Sequence, residues 1–286
     1  MLKKVSILDF QRKKVQGRPI TVLTAYDYPG ATLVDEAGVD IILVGDSLAM
    51  TVLGHPNTVS VTVDEMLHHC KAVARGTKRA FLVGDMPFMS YQADRSEAIR
   101  NAGRFLKEGH MDAVKLEGGS EVVETVRAIV RAGIPVMGHV GLTPQTATKL
   151  GGLKVQAKSA AAAQRLQEEA VALQEAGCFA IVLEAVPASV GKIVSQKLSI
   201  PTIGIGAGPD CDGQVLVFHD VLGLFDGFVP KFVKQYANLR QPVLEAFKAY
   251  KTEVEARTFP AKAHSFTMKE KQLQLYLYGD HSVSSQ

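Results

Sequence analysis

Short runs of consecutive apolar residues alternate with longer amphipathic stretches along most of the chain. The runs are T-V-L-T-A-Y-D at 21–27, I-I-L-V-G-D at 41–46, F-L-V-G-D at 81–85, A-V-K-L-E at 113–117, I-P-V-M-G-H at 134–139, A-I-V-L-E at 180–184 and I-P-T-I-G-I-G-A-G at 200–208. They are continuously apolar, as strands are when both faces of a parallel sheet are buried. Helical stretches fill the intervals: Gly30 to Gly38, Asp64 to Arg75, Ser96 to Glu108, Glu121 to Ala132, Ala160 to Ala176 and Ala188 to Lys197. Gly38, Gly109, Gly133 and Gly177 stop a helix just ahead of a strand, where a left-handed residue is needed. This repeated unit predicts an α/β protein of the (β/α)8, or TIM-barrel, kind, with a doubly wound open sheet as the alternative.

The ends of the pattern are less regular. Residues 5–16 predict an amphipathic helix capped by Ser6, with Val5, Leu8 and Val15 as its apolar side chains, closing the bottom of the barrel. The spacing over Asp212 to Leu222 favours a seventh helix, which puts the eighth strand near Phe228 to Val233 and more helix out to Ala256. A single barrel domain over residues 1–266 is expected, then a C-terminal extension over 267–286 that is irregular.

Several strands end on an ionisable residue. Asp46, Asp85, Glu117 and Glu184 close four of them, and His139 closes a fifth. Lys115 and Glu117 share a face of their strand, since side chains alternate with period two. In a barrel these ends converge on one mouth, where active sites form. Asp46, Asp85 and Glu117 would be neighbours there, and three clustered carboxylates call for a cation; all-oxygen donors suit Mg²⁺. Such an ion can chelate a 2-oxo acid and favour its enolate. Lys115 either holds the substrate carboxylate or enolate oxygen, or pairs internally with an acid. Glu184, across the ring, is either a general base or a buried acid with a cationic partner. His139 reads as a hydrogen-bonding support for the site, with direct participation as the alternative.

Other features count for less. G-I-G-A-G at 204–208 lacks the spacing of a dinucleotide loop and reads as a tight turn. His68 and His69 point to different sides of a helix and read as surface or packing residues. A net charge of +3 with mixed signs argues against nucleic acid and membrane surfaces as partners. Cys70, Cys178 and Cys211 are too sparse for a disulfide framework or a zinc site, which favours a reducing, cytoplasmic setting.

T-A-Y-D-Y at 24–28, L-V-G-D-S-L at 43–48, D-M-P-F-M at 85–89, V-K-L-E-G-G at 114–119, G-H-V-G-L-T-P-Q at 138–145 and L-E-A-V-P at 183–187 resemble the ketopantoate hydroxymethyltransferase family. So do G-I-G-A-G at 204–208, D-G-Q-V-L-V at 212–217, P-K-F at 230–232 and H-S-F at 264–266. The resemblance implies a (β/α)8 barrel that moves a hydroxymethyl group from 5,10-methylenetetrahydrofolate to 3-methyl-2-oxobutanoate, giving 2-dehydropantoate for pantothenate biosynthesis through a Mg-stabilised enolate. It implies Mg²⁺ on Asp46, Asp85 and Glu117, substrate contacts from Asp46, Ser47, Asp85 and Lys115, and Glu184 as proton acceptor. It also implies a homo-oligomer, commonly a decamer. Ala49, Leu153 and Ala157 depart from the family's usual glycine, aromatic and glycine. The long loops Ala49–Val61 and Leu142–Ser159 are expected to act as lids. A Mg²⁺-dependent barrel of the isocitrate lyase and phosphoenolpyruvate mutase group, and a non-catalytic scaffold barrel, are the competing readings.

Overall fold

The computed structural model describes residues 3–225, 227 and 229–279. The chain divides into two compact units, one ending at Ala237 and the other beginning at Asn238. The first opens with helix α1 (Ile7–Val15) and continues β1 (Ile20–Thr24), α2 (Tyr28–Glu36), β2 (Ile41–Val44), α3 (Leu48–Thr51), α4 (Val63–Gly76), β3 (Phe81–Asp85) and α5 (Arg95–Lys107). It goes on through β4 (Ala113–Glu117), α6 (Val123–Arg131), β5 (Val136–Gly141), α7 (Ala160–Ala176), β6 (Ala180–Glu184), α8 (Ala188–Lys197), β7 (Thr202–Ile205), β8 (Gly213–Leu216) and α9 (Phe218–Leu222). The strands close a barrel in sequence order, and each pairs with its neighbours in parallel. The (β/α)8 fold expected from the apolar runs is the fold observed.

The eighth strand is not where the spacing pointed. It is Gly213–Leu216, and it bonds β7 and β1. The expected strand from residue 228 to 233 is absent among the described residues, which exclude Phe228. A four-residue strand followed at once by the five-residue α9 puts apolar side chains at spacings that imitate one longer helix. Ring closure decides between them, because β1 needs a second neighbour, and local spacing carries no record of that need.

Helix α1 plugs the bottom as expected, but with a different side chain. Leu8 and Val15 are 65% and 88% exposed, while Phe10 is 1% exposed. Phe10 packs edge-on against Phe81 with ring centroids 5.3 Å apart, and stacks on Phe179 at 6.2 Å. Ile20, Ile41, Phe81, Phe179 and Ile203 continue that packing into the barrel interior. Lys13 and Lys14 then reach past the plug to Asp40 at 2.6 Å and Asp212 at 2.7 Å. A second apolar layer lies between strands and helices, including Ile42, Leu82, Val114, Ile181 and Leu173.

The second unit contains α10 (Arg240–Glu255) and α11 (Glu270–Tyr278). Part of the extension expected to be irregular is therefore helical, and residues 280–286 of it lie outside the described residues. No helix among the described residues is long and apolar enough to cross a membrane.

Candidate active site

Parallel register carries the ionisable residues to one level of the barrel. Asp85 on β3 faces Lys115 on β4, and Glu117 faces His139 on β5. Asp46 follows β2, and Glu184 ends β6. All but Glu184 are buried. The six residues expected at this mouth, Asp46, Asp85, Lys115, Glu117, His139 and Glu184, lie there together.

Lys115 is the charge at the centre. Its Nζ lies 2.8 Å from Asp85 Oδ1, 3.7 Å from Glu117 Oε1 and 3.3 Å from His139 Nδ1. The Asp85 contact is an ion pair at a poor hydrogen-bonding angle, so buried Oδ1 has no directed donor among the described residues. Burial alone would lower the Lys115 pKa; the charges of Asp85, Glu117 and Asp46 outweigh it and hold the ammonium protonated. The internal pairing anticipated for Lys115 is thus present, and it leaves the ammonium positioned at the mouth.

His139 bridges two acids. Nδ1 sits 3.4 Å from Glu117 Oε1, and Nε2 sits 3.2 Å from Glu184 Oε2, though too far off line for a good hydrogen bond. Burial and the Lys115 charge push the imidazole pKa down, and the two carboxylates lift it against them to about 9. Glu117 is correspondingly held below its usual range: burial raises it, but His139, Lys115 and the backbone N–H of Gln145 together prevail.

Asp46 has the opposite fate. Burial, then the charges of Asp85 and Glu117, push its pKa well above the ordinary value. Burial likewise raises Asp85, only partly offset by Lys115. Asp46 forms no ion pair among the described residues; its side chain accepts one hydrogen bond, 2.9 Å, from Gln145 Nε2. Its backbone N–H donates to Asp85 Oδ2 at 3.2 Å, which holds the two carboxylates side by side.

Two buried, crowded carboxylates with spare oxygens are the donors of a hard divalent cation, which takes one or two carboxylates and fills its other positions with water and substrate. Asp46 and Asp85 fit that role. For Glu117 both oxygens already face protein donors, His139 Nδ1 at 3.4 Å and the Gln145 N–H at 3.0 Å. Accordingly, no three His, Cys, Asp or Glu side chains form a ready metal cage among the described residues.

Two residues of this network escaped the sequence reading. Gln145 binds Asp46 through its amide and Met86 O at 3.0 Å, and its backbone N–H reaches Glu117 Oε2 at 3.0 Å. Tyr91 donates its hydroxyl to Gln145 Oε1 at 2.7 Å and accepts the Glu117 N–H at 3.1 Å. Gln145 closes the G-H-V-G-L-T-P-Q stretch, the one signal that marked it. Ser47, expected to touch substrate, bonds Tyr26 OH at 2.8 Å. His69, expected to be a packing residue, donates Nδ1–H to Tyr26 O at 2.6 Å and so braces the same corner.

A closed parallel barrel with carboxylates, an ammonium and an imidazole buried at its carboxyl mouth defines a barrel enzyme. Its family follows from comparison: the model for ketopantoate hydroxymethyltransferase matches residues 4–262. A 3-methyl-2-oxobutanoate hydroxymethyltransferase of Syntrophomonas wolfei is 57% identical over 270 residues, spanning 94% of this chain and 98% of the relative. One of Syntrophobacter fumaroxidans is 60% identical over 253 residues, 88% of this chain and 90% of the other. The chain belongs to the ketopantoate hydroxymethyltransferase family. Among solved structures, phosphonopyruvate hydrolase aligns with a TM-score of 0.59 at 14% identity, covering 96% of this chain and 95% of that one. A 2,3-dimethylmalate lyase aligns at 0.56 and 16%, again covering 96% and 95%. At such identities these two share the fold and nothing more is carried over.

Proposed function

We propose that this enzyme transfers a hydroxymethyl group from 5,10-methylenetetrahydrofolate to 3-methyl-2-oxobutanoate, yielding 2-dehydropantoate. The observation that carries the reading is the division of charge at the mouth. Asp46, Asp85 and Lys115 gather on one side, and Glu184 approaches from the neighbouring strands through His139.

Mg²⁺ is the fitting cofactor: Asp46 and Asp85, with Glu117 close by, would hold it, and when bound it would polarise the ketone. The remaining work belongs to the chain. The Lys115 ammonium faces the developing negative charge on the substrate oxygen, where a buried cation is worth far more than one in water. Ser47 and Gln145 fix the position of the loop after β2 and of Asp46. Glu184 takes the proton from C3. Water cleaves both carbon–nitrogen bonds of the donor's methylene bridge, which releases tetrahydrofolate and leaves the carbon at the aldehyde level. The enolate carbon forms its bond to that carbon, and the resulting alkoxide takes up a proton as the product hydroxyl. His139, held cationic between Glu117 and Glu184, keeps the base beside C3 and stays put as Glu184 gains its proton. The loop over residues 142–159 is anchored to the site by Gln145.

The test is exchange of the C3 proton of 3-methyl-2-oxobutanoate in D₂O, with Mg²⁺ and without folate. Exchange above the uncatalysed rate is expected; its absence at saturating oxo acid defeats the reading. The homo-oligomeric assembly that the resemblance implies is measured by sedimentation.

A further inference from the structure

A second cavity, of about 290 Å³, opens beside the charged site at the ends of β1, β2 and β8. Tyr26 lines it and links it to the loop that follows Asp46. Its hydroxyl faces Ser47 at the oxo-acid side, while its ring stacks on His219 with centroids 5.5 Å apart and planes 21° from parallel. Phe218 meets the His219 ring edge-on at 5.5 Å. Gly30 keeps the floor clear, since a Cβ there would stand 2.7 Å from Asp27 Oδ1 and 3.6 Å from the Phe218 ring.

The polar groups on this aromatic frame are mostly acceptors. Asp27 spends Oδ1 on the N–H of Gly30 at 2.7 Å, as the cap of α2. His69 commits Nδ1–H to the Tyr26 carbonyl, which leaves Nε2 as its remaining ring nitrogen. His219 Nδ1 is buried and has no partner among the described residues. A buried polar atom without a partner costs on the order of 1–3 kcal/mol, so this nitrogen awaits one. Burial also lowers the His219 pKa, which keeps the ring neutral and able to accept.

Flat aromatic walls with acceptors at the edges select a planar heterocycle rich in N–H groups. The volume lies at the lower end of small-ligand pockets and suits a two-ring system, not a whole folate. We propose that the cavity between Tyr26, Phe218 and His219 is the subsite for the reduced pterin ring of the one-carbon donor, an assignment that rests on the hydroxymethyl-transfer reading above. The amino-pyrimidinone edge of that ring meets the Asp27 and His219 acceptors. The rest of the donor leaves through the open side of the cavity.

The test separates donor binding from oxo-acid chemistry. Two variants alter the cavity by different means: His219→Ala removes a wall and the unpartnered nitrogen, and Thr51→Leu, at another position of the lining, fills the space. Tetrahydrofolate is titrated into each by calorimetry, and C3 proton exchange of 3-methyl-2-oxobutanoate is followed in D₂O. Tetrahydrofolate affinity is expected to fall at least tenfold in both, with exchange kept within about twofold of the unaltered enzyme. In the unaltered enzyme, tetrahydrofolate is expected to slow amide hydrogen exchange over residues 26–30 and 218–222, a readout that needs no variant. Unchanged affinity in both variants, or protection confined to other segments, overturns the subsite while leaving the reaction assignment standing. Failure of the unaltered enzyme to exchange the C3 proton removes the reaction assignment, and the subsite with it.

Discussion

The two ends of the barrel are built on opposite terms. At the amino end, aromatic rings fill the bore and each buried charge has its counter-charge: Lys13 with Asp40, Lys14 with Asp212. Asp40 also accepts from the N–H and hydroxyl of Thr21, each at 2.9 Å. At the carboxyl end, Asp46, Asp85 and Glu117 crowd around Lys115, and two of the three are pushed toward protonation. Charge paired inside the chain is committed to the fold; charge left over is available to a ligand.

Removing a carboxylate from the carboxyl end should therefore separate activity from stability most widely. Asp85→Ala is expected to abolish turnover, by at least a factor of roughly 10³, while the protein still folds, because relief of the repulsion with Asp46 and Glu117 offsets part of what Lys115 loses with its nearest counter-charge. Measurable turnover at ordinary Mg²⁺ concentrations, or a large drop in melting temperature, would erase the contrast. Phe10→Ala tests the other end. Loss of a fully buried ring that touches two others should cost about 3–5 kcal/mol in denaturant unfolding, with kcat at 25 °C near normal in the fraction that stays folded. A variant as stable as the parent would show that α1 is not the plug it looks to be.

Glu184→Gln comes next. Oxo-acid affinity should remain near that of the parent, because the amide keeps the shape beside His139. Turnover and C3 exchange should both fall by roughly 10². Exchange at the parental rate would transfer the proton-abstracting role to another group.

Much of this contrast was legible in the chain and some was not. Continuous apolar runs ending in Asp46, Asp85, Glu117 and Glu184 gave both the parallel barrel and its charged rim, because strand direction and period fix where a strand's last residue points. Gln145 and Tyr91 were not readable in that way. They lie in loops, and what makes them part of the site is contact with residues 26 to 99 positions distant. Phe10 was overlooked for a related reason: one ring among charged neighbours makes a weak amphipathic signal, and only the open bore beneath it turns it into a plug. The short β8 was hidden because ring closure is a property of eight strands together.

The amino end should also respond to pH in a defined direction. Burial raises the Asp40 pKa, but Lys13 and the Thr21 donors overcome it and hold the folded-state value below the usual carboxylate range. A depressed value means that the stabilisation is present above the unfolded-state pKa of about 3.9 and is lost as pH falls through the lower folded-state value. Lys13→Ala removes the largest of the lowering groups. It should cost about 2 kcal/mol at neutral pH, and its melting temperature should converge on that of the parent as Asp40 becomes protonated in acid. A difference that stays constant from pH 7 into that range would mean that Lys13 acts through packing alone.

The smallest effect belongs to the carboxyl end and concerns backbone rather than charge. Ala157 has φ 54° and is bonded into place by its neighbour, since the Gln156 N–H donates to Ala185 O at 2.9 Å. Ala185, directly after Glu184, is itself at φ 46°. Two side-chain-bearing residues in the left-handed region thus meet next to the proposed base, and the resembling family usually has glycine at the first of them. Changing Ala157 to Gly relieves roughly 1–2 kcal/mol of strain. It also frees the unfolded chain by about 0.4–1 kcal/mol and gives up a buried methyl worth about 0.8 kcal/mol. These terms nearly cancel, so Ala157→Gly should move the melting temperature by no more than about 2 °C. Ala157→Val has no such balance, because a β-branched residue resists positive φ. It should destabilise by more than about 1 kcal/mol and speed amide exchange across residues 142–159. Equal tolerance of glycine and valine would show that the loop is free to leave the left-handed conformation, and that the carboxyl end holds its strain in charge alone.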